Sequence, residues 1–247
     1  MRTALIALAL LVGMVGAARA AEPTVYAAAS LTESFPKIDS SARYSFGGSN
    51  TLALQIRQGA PADVFASAAP NFTQELFAAG LVERPEFLAF NRLALIVPRS
   101  NPADIDSVYD LNRDGIKLVV AGARVPVGSY TRTVLRNLGL TSALKNVVSN
   151  EQDVKDVVGK VVLGQADAGL VYVTDARVAS SQLTTIRIPV FAQPKVRYEI
   201  AVVAASANTA EARAFVARAT GTAGRKVLAG YGFRFPAPPK ARTGNRR

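Results

Sequence analysis

The chain has 247 residues, 49% apolar and 19% charged, with a formal net charge of +11 and no Cys, His or Trp. Without thiolate or imidazole it cannot build structural zinc sites, His-ligated haem, iron–sulfur clusters or a Ser-His or Cys-His relay. Its length suits one large domain or two lobes, and a core of this size needs no disulfide.

Residues 1–20 read as a cleaved secretory signal. Arg2 gives a positive start, Thr3 to Ala17 form the apolar run, and Ala18-Arg19-Ala20 presents small residues for cleavage. The run is about fifteen residues, short of the ~20 that span a bilayer. No Cys follows it to carry a lipid, so the expected product is free, soluble and periplasmic. The signal holds Arg2 and Arg19 and no acid, which brings +11 down to +9 for the mature chain.

Short β-branched or apolar runs then alternate with helical patterns. Strands are predicted at Thr24–Ala28, Arg43–Phe46, Val64–Ser67, Leu93–Val97, Lys117–Ala121, Gly169–Val173 and Glu199–Ala205. Helices are predicted at Thr51–Gln58, Asn71–Ala79, Ser129–Leu138, Val154–Leu163, Thr209–Ala219 and Arg225–Ala229. This is a βαβ rhythm, and it predicts an α/β fold with a mostly parallel sheet. Turn residues cluster at Pro98 to Pro102 and at Pro189 to Pro194, which read as paired crossings between two lobes. Residues 237–247 carry Lys240, Arg242, Arg246 and Arg247 without apolar period and read as a disordered basic tail. The remaining charges are scattered, which argues against a nucleic-acid partner.

The informative places are where strands stop. Val25–Ala29 runs into Ser30-Leu-Thr-Glu33, a capping-box pattern, and Tyr44-Ser-Phe46 into Gly47-Gly48-Ser49-Asn50. Pro126-Val127-Gly128 and Asn150–Asp153 each precede a helix. Such junctions leave main-chain N–H groups free at a helix start, where the dipole favours an anion, and in open α/β sheets they gather at the carboxyl edge. Taken singly, each residue has a plain reading as well. Ser30 and Ser49 fit ordinary caps, Gly47-Gly48 a tight turn, Tyr172 a core aromatic, and Asp63 and Asp175 turn or cap acids.

Six blocks in order, AAASLTESF (27–35), FGGSNTLALQIRQGAPADVFASA (46–68), FNRLALIVPRSNP (90–102), VPVGSYTRTVLRNLGL (125–140), DVKDVVGKVVLGQADAGLVYVTDA (153–176) and YGF (231–233), resemble the periplasmic molybdate-binding proteins of ABC importers. The resemblance runs from about Val25 to Phe233. It implies a type II periplasmic binding protein fold, with two α/β lobes, a ligand cleft between them and two chain crossings. On it, residues 21–97 and 201–236 make one lobe and 98–200 the other. It also places oxyanion contacts at Ser30, Ser49, Val127, Val154 and Tyr172, which hold molybdate as an oxyanion and do not ligate its metal. The implied function is capture of molybdate or tungstate for an ABC permease by a monomer that is not an enzyme and needs no cofactor.

On this reading the contacts are all donors: two serine hydroxyls, a phenol and main-chain N–H groups. A fully deprotonated dianion accepts at every oxygen, whereas hydrogenphosphate brings a donor that finds no acceptor. Several positions depart from the family pattern, among them Ala69-Pro70 where an acid commonly follows FASA. Pro36 removes a helical bond to Thr32 and shortens or kinks the first helix. Asp153 brings a carboxylate to the anion unless it turns to cap its own helix. Val127 replaces a smaller residue. A binder of sulfate or thiosulfate stays open as an alternative, with an exported hydrolase the rival from another class.

Overall fold

A computed structural model describes residues 22–237. The expected signal and, except for Ala237, the expected basic tail lie outside the described residues. In chain order the elements are β1 (Thr24–Ala28), a 3-10 turn (Ala29–Leu31), α1 (Phe35–Ile38), β2 (Arg43–Gly47), α2 (Ser49–Arg57), β3 (Val64–Ser67), α3 (Pro70–Ala78), β4 (Glu86–Asn91) and β5 (Leu93–Pro98). There follow β6 (Leu118–Ala121), α4 (Pro126–Asn137), β7 (Val147–Glu151), α5 (Val154–Val162), β8 (Ala168–Tyr172), α6 (Val173–Val178), β9 (Leu183–Arg187), β10 (Val196–Val202), α7 (Thr209–Thr220) and α8 (Thr222–Gly230).

The strands form two five-stranded sheets, β2-β1-β3-β10-β4 and β7-β6-β8-β5-β9, one for each lobe. The sequence led us to expect mostly parallel pairing, and the sheets are instead mixed. In the first, β1 pairs in parallel with β2 and β3, and β10 lies antiparallel to β3 and β4. In the second, β6 is parallel to β7 and β8, and β5 is antiparallel to β8 and β9. The cause is connectivity. β5 and β10 each follow a passage from the other lobe, so they start at the cleft and run away from it, against neighbours that end there.

The passages also differ from expectation. β4 belongs to the first sheet and β5 to the second, so the chain changes lobe at Arg92, before the Pro98–Pro102 cluster. The return runs between Arg187 and Val196, through Pro189–Pro194, so the expected lobe boundary at 200/201 falls inside β10, which lies wholly in the first sheet. Pro98 closes β5 as a strand end, a position where a missing N–H costs little. β4, β7 and β9 were not predicted. β7 and β9 are half-exposed edge strands with polar residues, and β4 is separated from β5 by one residue.

Helices cover both faces of each sheet. α2 and α3 bury Leu52, Ile56 and Leu76 against Phe65 and Ala201. On the opposite face Phe35 and Phe215 meet edge-on, with ring centroids 5.4 Å apart. In the second lobe α5 presents Val154, Val157 and Val161, a one-face helical stripe. It can lie close to β8 because Gly169 has no side chain: a Cβ there would come within 2.9 Å of Val157 and 3.1 Å of Val161. Gly169→Val should therefore overpack the core and lower unfolding free energy by ~1–3 kcal/mol, read as a reduced urea midpoint with unchanged m-value.

Candidate functional site

The carboxyl ends of β1, β2, β3, β7 and β8, with the start of α4, converge between the lobes on one cavity. It is lined by Ala28, Ala29, Ser30, Gly47, Gly48, Ser49, Ala68, Val125, Pro126, Val127, Asp153, Val154 and Tyr172. All five residues singled out from sequence are on that wall, Ser30 and Ser49 from the first lobe and Val127, Val154 and Tyr172 from the second. The empty space is about 210 Å³. That suits one compact solute and not a peptide or a sugar chain.

Each junction presents hydrogen donors. α2 starts at Ser49 behind Gly48 and α4 at Pro126 behind Val125, and neither helix has a side-chain cap. Their first-turn N–H groups, including those of Ser49 and Val127, have no carbonyl four residues back inside the helix. At α5 the cap is supplied by Asp153, whose Oδ1 accepts from the N–H of Lys155 at 2.7 Å and of Asp156 at 3.2 Å. The cap leaves out the N–H of Val154, and it turns the carboxylate toward its own helix. Ser49 Oγ accepts from the Ala68 N–H at 3.0 Å, so its own proton remains to donate. The Tyr172 hydroxyl is buried and, among the described residues, makes no hydrogen bond of good geometry, its nearest polar neighbour being the Tyr198 hydroxyl. Burial, with Tyr198 and Tyr130 nearby, holds its pKa well above the ordinary phenol value, so it stays a donor.

Two local expectations are overturned or resolved. The capping box at Ser30 and Glu33 does not form: Ser30 sits inside the 3-10 turn, with no side-chain cap. Its Oγ lies 2.8 Å from the Tyr198 hydroxyl, and the Glu33 carboxylate is drawn to Lys155 Nζ, 2.8 Å from both oxygens. The segment around Pro36 is short, as expected: α1 has four residues, with Pro36 in its first turn.

Among the described residues no lysine or arginine lines the cavity. Beside Val154 stands the half-buried Lys155, and two carboxylates consume its charge. Besides Glu33 in the first lobe, it pairs at 3.0 Å with Asp175, which is 1% exposed. Burial raises the Asp175 pKa to about 6, against the lowering pull of Lys155. Asp175 is thus a buried ion-pair partner, and Asp63 accepts from the Thr24 N–H, Ser206 and Asn208 at the far end of its lobe. Two Ser-x-x-Lys spacings hold no nucleophile and base: Ser34 donates to the Leu31 carbonyl, Ser142 to Asn112, and Lys145 pairs with Asp114.

The lobes meet closely at the rim. Tyr130 in α4 donates to the Ala68 carbonyl at 3.4 Å, and Gly48 faces the Gln152 carbonyl. A Cβ on Gly48 would lie 2.5 Å from that oxygen. Gly48 has φ −63° and ψ 130°, which any residue adopts, so the demand for glycine comes from the opposite lobe and not from the backbone.

A family model for bacterial extracellular solute-binding proteins matches residues 15–234. The molybdate-binding protein of Mycobacterium tuberculosis is 40% identical over 222 residues, covering 86% of this chain and 84% of that protein. Among solved structures, the Azotobacter vinelandii periplasmic molybdate-binding protein superposes with a TM-score of 0.78 at 22% identity, over 87% of this chain and all of the other. The sulfate-binding protein of M. tuberculosis superposes at 0.73 with 20% identity, over 88% of each chain. These two structures share the two-lobed fold.

Gly48→Ala should leave unfolding free energy within about 1 kcal/mol of the parent, since its backbone is compatible with alanine. It should hold the lobes apart, read as a larger radius of gyration by small-angle X-ray scattering. The raised Asp175 pKa means that the folded state keeps this proton to a higher pH than the unfolded chain does. Its contribution is full below the ordinary value of 3.8 and is lost as pH rises to about 6. Asp175→Asn should remove that decline, on the order of 2–3 kcal/mol, in urea unfolding at pH 4 against pH 6.5.

Proposed function

The chain belongs to the bacterial extracellular solute-binding proteins, and from that membership and the geometry of the cavity we propose that it captures molybdate or tungstate. On this reading it works in the periplasm, after export by its first twenty residues, and delivers the ion to an ABC permease in the inner membrane. It is a carrier and not a catalyst, and the oxyanion is its ligand, not a cofactor. It acts as a monomer. The two sheets, with their helices, are the two moving bodies, divided at Arg92 and again between Arg187 and Val196.

The observation that carries the reading is the buried Tyr172 hydroxyl, which among the described residues makes no hydrogen bond of good geometry, at a cavity whose other donors are serine hydroxyls and first-turn N–H groups. An unpaired buried hydroxyl costs about 1–3 kcal/mol, and a solute that accepts at that point removes the cost. Ser30 and Ser49 donate from one lobe, and Val127, Val154 and Tyr172 from the other. A dianion with four accepting oxygens bridges them and favours the closed arrangement. With no cation on the wall, binding rests on hydrogen bonds and helix dipoles, which favour an anion while leaving its protonation state and size to decide affinity.

Sulfate has the same charge and shape, so it is the rival to separate. Calorimetric titration of the chain from Ala21 onward with molybdate, tungstate, sulfate and phosphate should give submicromolar affinity for the first two. Their preference over sulfate should be at least about a hundredfold, or ~2.7 kcal/mol. Equal affinity for all four would overturn the reading, and a preference for sulfate would replace it with the rival.

A further inference from the structure

Behind Ser30 lies a chain of polar side chains that does not reach the cavity wall. Ser30 Oγ is 2.8 Å from the Tyr198 hydroxyl, and Asn91 Nδ2 is 3.4 Å from the same oxygen. Asn91 Nδ2 is also 3.0 Å from Thr174 Oγ1, and the Arg92 N–H donates to Asn91 Oδ1 at 2.9 Å. Ser30, Asn91, Thr174 and Tyr198 are all buried.

The orientation of the Asn91 amide follows from its one fixed end. A main-chain N–H can only donate, so the Asn91 atom facing Arg92 must be the carbonyl oxygen, and the amide nitrogen must face Thr174 and Tyr198. Tyr198 then receives a hydrogen from Asn91 at 3.4 Å, which leaves its own proton available for Ser30 Oγ at 2.8 Å, where either oxygen can donate. With Tyr198 as the donor, Ser30 Oγ has one hydrogen left for the cavity that it lines. Burial holds the Tyr198 pKa well above the ordinary phenol value, so the chain keeps its protons.

We propose that Asn91 and Tyr198 are positioning residues that make Ser30 a donor only, and that this enforced polarity is what excludes oxyanions carrying a proton. A free serine hydroxyl can rotate to accept from hydrogenphosphate, whereas one already accepting from a buried phenol meets that O–H with its own hydrogen. The proposal rests on the oxyanion reading given above.

The test measures the ratio of phosphate to molybdate dissociation constants at pH 7, phosphate being read by competition. Tyr198→Phe removes the hydroxyl and keeps the ring that packs edge-on against Tyr172 and Phe233. Asn91→Asp still serves the Arg92 N–H but presents an acceptor to Tyr198, which reverses the chain. Each variant should lower the ratio at least tenfold, with Asn91→Asp giving the larger change. If both anions weaken by the same factor, or the ratio stays within twofold in both variants, the residues only pack and the relay is overturned. A parent protein that binds none of the anions would overturn the oxyanion reading and this proposal together, whereas a discriminating parent with equally discriminating variants removes the relay alone.

Discussion

The site is organised around hydrogen donors that the protein itself leaves unpaired. A folded chain normally satisfies its buried polar groups, so a phenol such as Tyr172, which among the described residues makes no hydrogen bond of good geometry, is the group that the proposed solute would satisfy. The same logic explains the uncapped starts of α2 and α4: a side-chain cap would occupy the N–H groups that face the cavity. Where a cap does exist, at α5, it takes the two N–H groups beyond Val154. The architecture serves this arrangement by ending parallel strands of both sheets at one gap.

Charge is present nearby but is kept out of the recognition. Lys155 is one residue from Val154, yet Glu33 and Asp175 hold it, and Asp153 is turned to its own helix. An ammonium group on the wall would attract any small anion, protonated or not. Removing it from play leaves discrimination to the direction of hydrogen bonds. The Glu33–Lys155 pair also joins the two lobes, so the group withheld from the solute helps to hold the molecule shut.

Much of this was legible in the sequence because strand-to-helix junctions are local. Gly47-Gly48-Ser49 and Pro126-Val127-Gly128 carry turn chemistry within a few residues, and the five residues they and their neighbours pointed to line one cavity. The misreadings came from contacts between distant parts of the chain. Ser30 and Glu33 have the spacing of a capping box, but a phenol 168 residues away and an ammonium 122 residues away claim their side chains. Asn91 and Tyr198 lie in apolar runs and carry no local signal of their partnership. The antiparallel strands were hidden because direction in a sheet depends on which lobe the chain has come from, not on strand composition.

The placement of Arg92 as the only residue between β4 and β5 has a mechanical corollary. Asn91 pairs in the sheet with Val196, where the returning chain re-enters, so both links between the lobes run side by side at this point. Atoms beside a pivot travel least when the bodies it joins swing apart. Asn91 and Tyr198 are therefore displaced little by opening, and the hydroxyl they orient is already aimed when the first half of the receptor encounters its ion. The receptor pre-sorts on the half-built site, before closure commits it.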